Sequence, residues 1–114
     1  MFTRHEVAGF TTPLAGIKMK TLVHGDKTLM TEFRLEQGSV LPRHKHPHEQ
    51  TGCLVSGRIK LVIGAETHQV SVGDSWCIPG NVEHSAVALE SSVALEVFSP
   101  VREDYLRQEK GKAS

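Results

Sequence analysis

Eight short runs of alternating or β-branched residues, each closed by a turn signal, steer this chain toward antiparallel sheet. The runs are Ile17–His24, Thr28–Leu35, Thr51–Val55, Arg58–Ile63, Thr67–Val72, Ser75–Ile78, Ser85–Leu89 and Val93–Phe98. Residues of this kind suit a pleated surface whose side chains alternate between two faces. Between the runs stand His24-Gly25-Asp26, Gln37-Gly38-Ser39, Ser56-Gly57, Ile63-Gly64, Val72-Gly73-Asp74 and Pro79-Gly80-Asn81, all suited to tight turns. Connections this short cannot hold the crossover helices of a parallel sheet, so an antiparallel sandwich or barrel is expected. Helical character is confined to the end. There Ser99 is expected to cap a short helix with Pro100 at its first position, running through Arg102–Arg107, before a frayed, solvated tail over 107–114.

At 114 residues the chain has the size of one domain, and 39% hydrophobic residues supply a core. Thirteen basic and 13 acidic residues cancel, which argues against a nucleic-acid or anionic-membrane surface and does not oppose self-association. No apolar run approaches the roughly 18 residues that span a bilayer. The opening Met-Phe-Thr-Arg-His-Glu-Val lacks the apolar block of a secretory signal, so a cytoplasmic setting is expected. Cys53 and Cys77 are too far apart for a C-x-x-C motif and sit in apolar surroundings, which predicts two buried free thiols.

Histidine carries the chemistry: of seven, three lie within His44–His48. In an extended strand His44 and His46 project to one face and form a bidentate grip suited to zinc, nickel, iron or copper. Pro47 interrupts that strand, so His48, Glu49 and Gln50 are all candidates for further ligands, as is His84, just after the Pro79-Gly80-Asn81 turn. A second signal is Val93–Phe98, apolar on both faces except for Glu96. A buried acid is costly unless it is paired or functional, and Glu96 shares its face with Phe98. Both are therefore expected inside the barrel, near the mouth of the metal site, with Glu96 available for general acid/base work and Arg102 within reach as a clamp for a substrate carboxylate.

These segments resemble the two signature motifs of the cupin family, small metal-binding β-barrels. Gly38, His44, His46, Gln50 and Gly57 fall at the intervals of the first motif, with glutamine at the usual acid. Gly73, Pro79, Asn81, His84 and Ala88 fall at those of the second, with Asn81 replacing a glycine and Ala88 an asparagine. The resemblance implies a double-stranded β-helix of jelly-roll type and one divalent transition metal (zinc, nickel, iron or manganese) held by His44, His46, Gln50 and His84. Because the amide of Gln50 is neutral, the ion would keep its full double charge, favouring Lewis-acid chemistry over the 2-His-1-carboxylate oxygenase pattern.

The stretch from Glu96 to Leu106 further resembles the pectin-degradation cupins, which linearise 4,5-unsaturated monouronates, although Glu96 stands where an aspartate is expected. That resemblance implies Glu96 and Arg102 as catalytic residues, Phe98 and Arg102 as substrate-binding residues, a small anionic sugar acid as substrate, and a homodimer. The competing readings are a metal-dependent isomerase or dioxygenase acting on another small acid, and a non-catalytic ligand-binding cupin.

Overall fold

The computed structural model describes residues 1–107. Ten strands follow one another: β1 (Thr11–Leu14), β2 (Ile17–His24), β3 (Leu29–Leu35), β4 (Val40–His44), β5 (Glu49–Ser56), β6 (Arg58–Ile63), β7 (Glu66–Ser71), β8 (Ser75–Ile78), β9 (His84–Ala88) and β10 (Ser92–Ser99). They form a six-stranded sheet of order β1-β2-β3-β10-β5-β8 and a four-stranded sheet of order β4-β9-β6-β7. The strand pairs are antiparallel throughout. This is the expected all-β, jelly-roll-like architecture. Among the described residues no helix is long and apolar enough to cross a membrane.

The eight anticipated runs are all strands, and two more join them. β1 and β4 each lie at the edge of a sheet and each contains a proline, Pro13 and Pro42. Proline lacks the donor an interior strand needs, so both segments read poorly as strands and are tolerated only at an edge.

β10 runs between β3 and β5, and its burial alternates strictly along the strand. Ser92, Ala94, Glu96 and Phe98 are buried, while Val93, Leu95 and Val97 are half-buried on the other face. The inner face is packed by Leu54, Ile59, Leu61, Val70, Ala86 and Ala94, with Ile17, Leu35 and Ala88 forming an adjoining cluster.

Three local expectations are corrected. Cys77 is exposed rather than buried and Cys53 only half-buried, because Cys77 points outward from β8, an edge strand of its sheet. Ser99 does not cap the helix, because it is still paired with Glu49 across β10 and β5. The helix α1 covers residues 103–107, with the Arg102 carbonyl accepting from the amides of Tyr105 and Leu106. Arg107 thus belongs to this helix, and the rest of the expected tail, 108–114, lies outside the described residues.

Candidate metal centre

The site forms where the two sheets meet at one end. His44 closes β4 and is paired directly with His84, the first residue of β9, in the four-stranded sheet. Gln50 comes from β5 of the other sheet, and His46 from the loop joining β4 to β5. His46 therefore reaches the cluster from a loop rather than along a continuing strand.

The two distant motifs are fastened together at Gly80. A β-carbon there would lie 2.4 Å from the Pro47 carbonyl oxygen, so only glycine admits this approach. Next to it Asn81 adopts φ 65° and donates its amide to the His46 carbonyl at 2.7 Å. Asparagine tolerates this left-handed conformation better than other side-chain-bearing residues, which is how it replaces the family's glycine.

The result is a trio. The His44 and His84 ring centroids lie 4.2 Å apart, and those of His46 and His84 5.0 Å. One nitrogen from each of the three imidazoles falls within 4.8 Å of the others, close enough to hold a metal ion together.

Hydrogen bonding fixes the state of each ring. His44 Nδ1 lies 2.8 Å from the Pro42 carbonyl, His46 Nδ1 3.0 Å from that of His48, and His84 Nδ1 2.9 Å from that of Val82. A carbonyl can only accept, so each Nδ1 carries the hydrogen and each Nε2 is left with a lone pair, the arrangement expected around a metal-binding histidine. His84 is 1% exposed, and its Nε2 is buried with no hydrogen-bond partner. His46 Nε2 lies 3.0 Å from Gln50 Oε1, while Gln50 commits its Nε2 to Glu96 Oε1 at 2.5 Å. Two lone pairs thus face each other, an arrangement suited to a cation that accepts from both.

A proton is not that cation at neutral pH. Burial, then the positive charge of Arg102 and of His84, lowers the pKa of His46 to about 4. Burial also lowers those of His48 and His84. These shifts set a pH dependence. Between about 6.5 and 4 an unfolded chain gains a proton at His46 that the folded chain refuses, so acidification removes stability there, and the lowered values of His48 and His84 act in the same direction. Glu96 opposes this: its pKa is raised by burial, against hydrogen bonds from Gln50 and Trp76, so its contribution is lost as pH rises through the folded value. His46, His48 and His84 act toward loss of stability on acidification and Glu96 against it. Metal-free protein is therefore expected to melt at a lower temperature at pH 5 than at pH 6.5; an equal or higher melting temperature at pH 5 contradicts this assignment.

Glu96 and Phe98 face the interior as expected, 9% and 1% exposed. Phe98 packs edge-on against His46, with centroids 5.7 Å apart, and against Tyr105 at 5.4 Å. Arg102 closes this wall, its guanidinium 5.0 Å from the Phe98 centroid and 4.0 Å from that of Tyr105. Its Nε and Nη2 are turned to the Asp104 carboxylate at 3.2 and 2.8 Å. Burial works against ionisation of Asp104, but the hydrogen bonds and charge of Arg102 outweigh it and hold the carboxyl below its ordinary range.

His48 and Glu49 stay outside the trio. Glu49 is exposed, and His48 contributes its carbonyl rather than its ring. No local signal marks Trp76, whose indole N–H donates to Glu96 Oε1 at 3.0 Å. Behind Gln50, His84 and Glu96 lies a cavity of about 40 Å³, room for a few waters at most.

The family described as the Cupin domain matches residues 31–100. The pectin degradation protein KdgF of Dickeya dadantii (strain 3937) is 33% identical over 93 residues, 80% of this chain and 84% of that one. Among solved structures, KdgF from Halomonas sp. superposes with a TM-score of 0.86 at 29% identity, covering 91% of this chain and 96% of that one. An RmlC-like cupin from Shewanella frigidimarina matches with the same TM-score of 0.86 at 25% identity, over 91% and 94% of the two chains.

Proposed function

The chain belongs to the cupin family, and on that premise we propose that it is a metal-dependent enzyme that opens 4,5-unsaturated monouronates to their linear keto acids. The observation that carries this reading is the buried Glu96, one hydrogen bond from Gln50 and two from His46. Such placement sets an acid beside a donor cluster with the chemistry of a metal site. His44, His46 and His84 would hold the ion through Nε2, with Gln50 Oε1 as the fourth donor. When bound there, a divalent cation supplies Lewis acidity toward the oxygens of the sugar. With three imidazoles and an amide as ligands, none of that charge is cancelled, which favours an anionic substrate.

The chain's own groups account for the rest. Arg102 binds the substrate carboxylate, using donors beyond the two turned to Asp104 or exchanging one carboxylate for the other. Phe98 forms the apolar wall against which the ring lies. Glu96 takes the proton from the anomeric hydroxyl as the ring C–O bond breaks, and returns a proton to the enol carbon. The conversion is an isomerisation and needs no co-reactant. A cytoplasmic setting is supported by the two free cysteines. A homodimer is supported by the half-buried apolar outer face of β10.

The test is incubation of metal-loaded protein with unsaturated galacturonate or mannuronate. Loss of the ultraviolet absorbance of the conjugated double bond, well above the spontaneous rate, is expected. Ligand-induced thermal stabilisation with no loss of absorbance would instead mark a binding protein.

A further inference from the structure

We infer that Trp76 is a positioning residue that decides which oxygen of Glu96 faces the site. The inference rests on Glu96 being the proton carrier proposed above. Gln50 Nε2 and Trp76 Nε1 both donate to the same atom, Oε1, at 2.5 and 3.0 Å. A carboxyl oxygen has two lone pairs, so Oε1 is saturated and Oε2 is the oxygen left to exchange a proton with substrate. One donor alone would hold the carboxyl loosely. Two donors from different strands lock its rotation.

The device depends on a row of residues across three strands. Glu96 of β10 is paired with Gly52 of β5, and Gly52 with Trp76 of β8. A β-carbon at position 52 would lie 2.7 Å from Trp76 Nε1 and Cε2. The missing side chain is therefore the space through which the indole lies across β5 and reaches the acid. Trp76 also lines both the inner cavity and an outer cleft of about 490 Å³ that includes residues of β7. A role as a mere wall is the alternative to be separated.

Trp76→Phe keeps an aromatic wall and deletes the N–H. Its kcat is expected to fall about ten- to a hundred-fold, the range for lost supporting hydrogen bonds, with KM and bound metal unchanged. In a Glu96→Gln background the same change should produce no further fall. Losses that multiply in the double variant, or a single variant with wild-type kcat, overturn the inference. A second readout does not need turnover. Trp76 is the sole tryptophan, so the protein has one indole N–H resonance. In metal-free protein that resonance should lie downfield and move upfield in Glu96→Ala; an unmoved resonance overturns the inference. If wild type fails to consume unsaturated uronate yet the resonance moves, the functional reading falls while the orientation of Glu96 is supported.

Discussion

His84→Leu is expected to abolish metal binding while leaving the metal-free protein about as stable as wild type. His84 is 1% exposed and its Nε2 is an unpartnered buried acceptor. Leaving such a group unsatisfied costs about 1–3 kcal/mol, and leucine removes it while filling similar space. The lost hydrogen bond to the Val82 carbonyl is worth about 1 kcal/mol, so the two effects nearly offset. With metal the outcome reverses. At a metal concentration a thousand times its Kd, wild type should gain about 4 kcal/mol, and the variant, with two imidazoles instead of three, almost none. Thermal melts with chelator and with added zinc or nickel check both halves. A variant that still shows the wild-type metal-induced shift would remove His84 from the site.

Glu96→Gln should lower kcat by about a hundred- to ten-thousand-fold, the range for removing a positioned acid/base group. Metal content and melting temperature should stay close to wild type. The amide oxygen can accept from both Gln50 and Trp76 in place of Oε1. Burial already pushes Glu96 toward its neutral form, which the glutamine side chain imitates in shape. Initial rates on unsaturated uronate, with elemental analysis of the same sample, separate the two effects. Activity within a few-fold of wild type would take Glu96 out of the reaction.

Much of this site was legible because its signals are local. The spacing of His44 and His46, the turn before His84, and a lone acid in an apolar strand can each be read within a few residues. What escaped depends on register. Trp76 reaches Glu96 only because Gly52 separates them across β5, a relation that no single segment contains. Two of the edge strands, β1 and β4, are hidden by their prolines, and the outward aim of Cys77 by the apolar neighbours that make it look internal. His46 joins the cluster from a loop, not by the two-residue alternation of a strand, since strand geometry ends at His44. Similarly, Ser99 and Pro100 formed a plausible helix start, but pairing of Ser99 with Glu49 outweighed that local preference.

The three imidazoles take their tautomers from main-chain oxygens at positions 42, 48 and 82. In sites where a carboxylate side chain does this job, a single point mutation can erase it. Here every amino acid brings the same oxygen, so those three positions are free to drift in side-chain identity while the path of the backbone is kept. The vulnerability moves to whatever shapes that path: lengthening the loop after His44 by one residue should harm the centre more than replacing any of the three anchors.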